Sequence, residues 1–200
     1  MIKRLVVATR NEGKRREIDE LLADLGVAVV SVAEYPYAPD VEEPFDTFCD
    51  NAAQKATVIG RTVDQWTVAD DSGLVVDALD GAPGVKSSRV APSDPERIAW
   101  VLDEMTNVPA DNRQARFVCC IALSSPAGII GTWEETVEGT IALQPAGDQG
   151  FGFDPVFHYG PAGKTFAEMS QREKSAVSHR GKALRAFRRA FAEIVREQQG

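Results

Sequence analysis

Apolar positions change their spacing along the chain, and the changes mark out its elements. Leu5 to Ala8 is a short apolar run closed by Thr9-Arg10-Asn11-Glu12-Gly13, after which Ile18, Leu21, Leu22 and Leu25 recur at i, i+3, i+4 and i+7, the spacing of one helix face. Strand, loop and amphipathic helix are predicted in that order. Gly26 stands where a helix C-cap belongs, and Val27 to Val32 reads as the next strand. Three prolines and four acidic residues between Glu34 and Phe45 predict a surface loop. Asp46 or Thr47 can then cap a second helix with Phe48, Ala52, Ala56 and Ile59 on its apolar face.

Trp66 to Ala69 and Leu74 to Val76 predict strand segments on either side of Asp70-Asp71-Ser72-Gly73, and Leu79 to Gly84 is turn chemistry. Ser93-Asp94-Pro95-Glu96 joins a capping box to a proline in the first helical turn, so a helix runs on through Ile98, Val101, Leu102 and Met105. Phe117, Cys119, Ile121 and Leu123 alternate with Val118, Cys120 and Ala122, apolar on both faces, as a central strand must be. Ile129 to Leu143 predicts a further, antiparallel strand pair. Pro145 to Gly163 is rich in Gly, Pro and aromatics without a period and predicts a long loop of the kind that carries function. Ser170-x-x-Glu173 is another capping box, opening a final helix to about Arg196 with Leu184, Phe187, Phe191, Ile194 and Val195 buried. The order of elements is mixed α/β. At 200 residues a single domain is expected, burying roughly 70% of its unfolded surface.

Composition narrows the class. Hydrophobic residues at 44% and charged residues at 26% are ordinary for a globular chain. No apolar run is long enough to span a membrane, and the N-terminal one is too short for a secretory signal. Cys119 and Cys120 would project to opposite sides of their strand, and with Cys49 they make an odd count, so all three are expected to be reduced core thiols. His158 and His179 are the only histidines and there is no Cys-x-x-Cys spacing, which argues against structural zinc. Cytoplasm is the expected compartment. The net charge of -8 speaks against a nucleic-acid partner, whose phosphates call for surplus Lys and Arg. Residues 1–16 nevertheless carry six basic side chains against Glu12, and residues 172–196 carry eight against Glu173 and Glu193. Brought together, these ends would hold a small polyphosphate; left apart, they are solvated helix faces.

Four segments carry candidate chemistry. Thr9 to Lys14 leads from a strand into a helix N-terminus, where free amide groups and Lys14 favour an anion, though the segment is not a P-loop and also reads as a plain turn. Asp70 and Asp71 sit side by side in an apolar strand, and burying two unmet charges there would cost several kcal/mol, roughly. At least one needs a cation or a strong donor, and magnesium is a fitting partner with Glu42 or Glu43 as a second ligand; an N-cap turn is the other reading. Phe151-Gly152-Phe153-Asp154 offers either a stacking platform for a base, with Asp154 as polar reader, or two core phenylalanines. Lys174, Ser175, Ser178, His179 and Arg180 gather donors near the last helix, with Lys174 and Ser178 four apart and able to face one way.

In order, Thr9-x-Asn11-x-x-Lys14-x-x-Glu17, Ala69-Asp70-Asp71-Ser72-Gly73-Leu74, Gly81-Ala82-Pro83-Gly84, Phe151-Gly152-Phe153-Asp154-Pro155, Gly163-Lys164-Thr165 and Glu173-Lys174-x-x-x-Ser178-His179-Arg180-Gly181-x-Ala183-Leu184 resemble the inosine triphosphate pyrophosphatase family, over about residues 5 to 187. The resemblance implies hydrolysis of ITP, dITP and XTP to the monophosphate and pyrophosphate by a magnesium-dependent, homodimeric enzyme, each elongated α/β subunit holding its nucleotide in a central cleft between two lobes of a mixed sheet flanked by helices. It also implies roles: Thr9, Arg10, Asn11, Glu12, Gly13 and Lys14 on phosphate, Asp71 as magnesium ligand and general base, Ser72 on substrate, Glu43 as a further metal ligand, and Phe151, Gly152, Phe153, Asp154, Lys174, His179 and Arg180 around the nucleotide. One segment departs from the family pattern. After Gly-x-Pro-Gly the family has an aromatic, Ser-Ala-Arg and a second aromatic, whereas Val85-Lys86-Ser87-Ser88-Arg89-Val90 has neither ring, which bears on local packing and on dimer or lid contacts. A pyrophosphatase for modified pyrimidine or methylated nucleotides, a nucleotide sensor without turnover and a nucleic-acid binder are the other classes in view.

Overall fold

The computed structural model describes residues 2–198. Seven strands among them form one mixed sheet, in the order β2-β1-β3-β4-β5-β6-β7, with helices flanking it. The strands are β1 (Arg4–Val7), β2 (Ala28–Ser31), β3 (Trp66–Val76), β4 (Gln114–Ser125), β5 (Gly128–Ile141), β6 (Phe157–Tyr159) and β7 (Lys164–Thr165). The helices are α1 (Glu12–Leu22), α2 (Phe48–Val63), α3 (Asp94–Glu104), α4 (Gln171–Val177) and α5 (His179–Glu197). β1 runs parallel to both β2 and β3, whereas β6 is antiparallel to β5 and β7. No described helix is long and apolar enough to cross a membrane.

Two compact units share the chain. One holds residues 1–71, 120–134 and 183–200; the other holds 72–119 and 135–182. In the first, Val6, Val32, Ile59 and Val63 pack together, and Ile18 and Leu22 of α1 are buried as their spacing required. Gly26 closes that segment at φ 67°, a left-handed conformation that costs glycine little. Arg188 of α5 donates to Leu21 O at 3.0 Å and pairs with Asp24 at 2.6 Å, so one of the C-terminal arginines has a structural task at the end of α1. In the second unit, Phe117, Phe157 and Phe166 stack around a core with Val101, Met105 and Ile141. Arg113, 4% exposed, donates to the main-chain oxygens of Ile141, Met105, Val108 and Ala142.

Five expectations need correction. β3 is unbroken through Asp70-Asp71-Ser72-Gly73, because side chains from elsewhere meet the charges and the backbone has no reason to leave the sheet. Gly128–Ile141 is one long strand where a strand pair was expected; its polar residues, exposed or half-buried, are carried within the strand and do not turn the chain. The segment expected as loop from Pro145 to Gly163 contains β6 and a short 3-10 turn over Gly160–Ala162. The expected final helix is two, since Ser178 is extended (ψ 154°) between α4 and α5, and its Oγ accepts from Gly181 N at 3.1 Å. Finally, Cys49 and Cys120 are joined in a disulfide, leaving only Cys119 outside one; Cys49 opens α2 and Cys120 lies in β4, a pairing across 71 residues that no local pattern reveals.

Candidate active site

The turn after β1 is shaped by its own side chains. Thr9 Oγ1 accepts from Asn11 N at 3.2 Å, and Asn11 Oδ1 accepts from Lys14 N at 3.1 Å, capping α1. Ser31 Oγ donates to Thr9 O at 2.9 Å. The turn is thereby fixed against β2, with the first amides of α1 at its end, where an anion is favoured. Arg10 pairs with exposed Asp40 at 3.3 Å, and Glu12 accepts from Arg15, which holds its carboxyl below the usual range. Thr9 and Arg10 line a hollow in the first unit together with Glu43 and Lys55.

The two adjacent aspartates have different surroundings. Asp70 is 7% exposed and meets Lys14 Nζ at 2.7 Å, the cation that its burial requires. Lys14 thus reaches from α1 to β3. Asp71 is half-buried and accepts from Asn51 Nδ2 at 3.2 Å. Asn51 is fully buried, and it also clasps Phe45, accepting from its N at 2.9 Å and donating to its O at 3.1 Å. One turn further along α2, Lys55 forms an ion pair with Glu43 and approaches Asp70 O at 3.4 Å. Glu43, Asp71 and their partners therefore belong to one unit and are organised by the polar stripe of α2. Asn51 and Lys55 were not among the residues singled out from the sequence; their i, i+4 spacing was the available signal.

In the second unit a hollow is walled by Ser72, Ser87, Phe151, Lys174 and His179. In the 150–154 turn Phe153 is a core residue at 4% exposure, whereas Phe151 is 68% exposed. Asp154 is buried, accepts from Phe151 N at 2.8 Å and forms an ion pair with Lys174. Burial pushes the Asp154 carboxyl up, against the pull of the Lys174 ammonium. Gly150 has φ 79°, and a Cβ there would come within 2.1 Å of Asp154 Oδ2. Gly152 donates its amide to Asp94 Oδ2 at 2.7 Å. Lys174 is 8% exposed and lies 4.7 Å from the centroid of the Phe151 ring, a cation against a π face. Its expected neighbour Ser178 lies beyond the end of α4 and serves as the cap. His179 is held flat on Phe117, centroids 4.7 Å apart and planes 17° from parallel. Phe117, Asp94 and Arg97, which also lines this hollow, have no site signal in the sequence because one is an ordinary strand phenylalanine and two are ordinary helix residues.

The segment departing from the family pattern, Val85 to Val90, lies beside β3 in the second unit. Ser87 Oγ accepts from Leu74 N at 2.8 Å and donates to Gly84 O at 2.7 Å. Val90 packs on the second unit's core, while Lys86 is exposed.

The Ham1 family model matches residues 5–190. The chain is 46% identical to the dITP/XTP pyrophosphatase of Geobacillus kaustophilus over 197 residues, covering 97% of each. It is 47% identical to the protein of the same name from Geobacter sulfurreducens over 184 residues, 90% of this chain and 92% of the relative. The structure of a HAM1 protein from Coxiella burnetii superposes with a TM-score of 0.90 at 38% identity, over 96% of this chain and 100% of the other. That of the dITP/XTP pyrophosphatase from Mycobacterium abscessus gives 0.80 at 40% identity, over 92% and 98%. With the family model spanning the six ordered motifs and these relatives matching nearly end to end, the chain belongs to the Ham1 family.

Proposed function

We propose that the chain hydrolyses dITP, XTP and ITP to the monophosphate and pyrophosphate, removing these non-standard purines from the nucleotide pool, and that it works with magnesium, as a homodimer, in the cytoplasm. Its near-full-length similarity to proteins named dITP/XTP pyrophosphatase supports the activity. The observation that carries the mechanism is the difference between the paired carboxylates. Asp70 is buried against Lys14, while Asp71 is half-buried and oriented by Asn51. Asp71 is therefore the one a water can reach.

Asp71 takes the proton of a water whose oxygen bonds to the α-phosphorus, and the bond from that phosphorus to the bridging oxygen breaks. Pyrophosphate departs. The first amides of α1 and the Thr9–Lys14 turn favour the negative tail. Asp71 and Glu43 present hard carboxylate oxygens in the same unit, the donor chemistry magnesium prefers, and they are the residues that would hold it. Bound there, the ion would offset the triphosphate's charge. In the second unit Phe151 offers its exposed ring to the base, and His179 and Arg180 donate to a 6-oxo group. An adenine amino group in that place would leave each buried donor unmet, at about 1–3 kcal/mol apiece.

The test is incubation with dITP, XTP, ITP, ATP and GTP, with and without magnesium, with pyrophosphate and orthophosphate detected separately. Pyrophosphate from the 6-oxo non-standard substrates, lost in Asp71→Asn, is expected. Orthophosphate as the direct product would refute attack at the α-phosphorus, and equal rates on ATP would refute the pool-cleansing role.

A further inference from the structure

The Cys49–Cys120 disulfide lies close to the machinery just described. Cys49 is the second residue of α2, two positions before Asn51, and its helix turn is capped by Thr47, whose Oγ1 accepts from Asp50 N at 3.1 Å. Cys120 is fully buried in β4. The bond therefore ties the first turn of α2 to the sheet at the point from which Asn51 reaches Asp71 Oδ2 and both main-chain groups of Phe45.

A second observation separates this bridge from a purely structural one. Cys49 Sγ lies 3.4 Å from Glu134 Oε2, and a disulfide sulfur has no proton to give that carboxylate. A Cys49 thiol does. The acceptor is thus useful only in the reduced state, for which the fold already provides. Cys49 is half-buried and Cys120 is not exposed at all, so exchange can begin at Cys49 alone.

We propose that Cys49 and Cys120 form a reversible thiol–disulfide site that sets how firmly the first turn of α2, and with it Asn51, holds Asp71. Reduction needs a dithiol. One of its sulfurs bonds to Cys49 Sγ while the Cys49–Cys120 bond breaks and Cys120 leaves, taking up a proton; the second sulfur then displaces Cys49, which also gains a proton, and the reagent ends as its own disulfide. In the reverse direction a peroxide removes two electrons and two protons from the thiols, its O–O bond breaks, and two waters form. The effect on turnover rests on the proposed pyrophosphatase activity; the effect on the helix does not.

The experiment treats the intact protein with hydrogen peroxide or with dithiothreitol, then follows it in three ways. Alkylation after unfolding should label one cysteine in the first sample and three in the second, with peroxide restoring one. Amide exchange at residues 48–51 should be faster in the reduced protein. Pyrophosphate release from dITP should be slower there by about fivefold or more, an ordinary coupling between sites. Cys49→Ser should match the reduced protein in exchange and turnover under both treatments, with two cysteines labelled in each, and Glu134→Gln should need a larger excess of dithiol for half-reduction. Three labelled cysteines after peroxide would overturn the proposal, as would a disulfide that forms and breaks while exchange at 48–51 stays the same. Absence of pyrophosphate in both states, with exchange responding as expected, would instead refute the pyrophosphatase reading and leave the redox site standing.

Discussion

Replacing Asn51 by aspartate tests the contact on which the general-base assignment depends, and removes with it the donor to Phe45 O. The change is isosteric, so packing around a fully buried side chain is preserved, but the amide donor facing Asp71 Oδ2 at 3.2 Å becomes a carboxylate oxygen. Two like charges at that separation repel by about 5 kcal/mol at an effective dielectric of about 20, an upper bound because Asp71 is partly open to water. The pair avoids the repulsion by retaining one proton. At 1.36 kcal/mol per unit, the acid limb of the pH–rate profile should move upward by at most about 4 units, and by about 2 once solvent screening is allowed for. The assay is pyrophosphate release from dITP as a function of pH, for the parent and for Asn51→Asp, with thermal unfolding in parallel. A profile displaced by less than about half a unit, in a variant that remains folded, would refute the claim that Asn51 orients the reacting carboxylate. A lower unfolding temperature with an unmoved profile would reduce Asn51 to a tether for Phe45.

Three further outcomes follow from burial. Lys14→Met removes the ammonium paired with the Asp70 carboxylate, whose side chain is 5% exposed against 31% for Lys14, and should lower stability by about 3 kcal/mol in urea unfolding, with Asp70→Asn in the same chain recovering most of it. Asp154 binds its proton more readily in the folded protein than in the unfolded one, so its stabilising share is complete at low pH and is lost as pH rises through the raised folded value. Conversely, Lys174 loses its carboxylate partner as pH falls through that value; activity should show an acid limb above the ordinary carboxylate range, and Asp154→Asn should be less active without that limb. Arg113→Met removes the donors of four main-chain oxygens and should cost about 4 kcal/mol by denaturant titration, with Arg113→Lys recovering little because an ammonium cannot span them.

Periodicity located α1, α2 and α3 well, since each has an apolar stripe and a side-chain cap that local residues specify: Asn11, Thr47 and Ser93. It failed where tertiary partners override local chemistry. Asp70 and Asp71 look like the end of a strand until Lys14 and Asn51 are seen to meet them. Ser178 looks like a helix interior until its hydroxyl is found capping the next turn. The candidate site is written in the sequence as motif residues, but their neighbours are not: Asn51, Lys55 and Phe117 belong to elements whose sequence is explained by folding alone. The disulfide was the least legible feature, because a bond between residues 71 apart depends on where β4 lands beside α2.

Four passages of the chain between its two units fall inside β3, β4, β5 and α5, so neither unit is a continuous stretch. During synthesis this imposes an order of completion. The first unit's core includes Phe187, Phe191 and Val195, which are made only after every residue of the second unit, complete at Lys182. The first unit must therefore wait for α5 to be made before its core can close, and a nascent chain stalled before α5 will expose that apolar surface to chaperones.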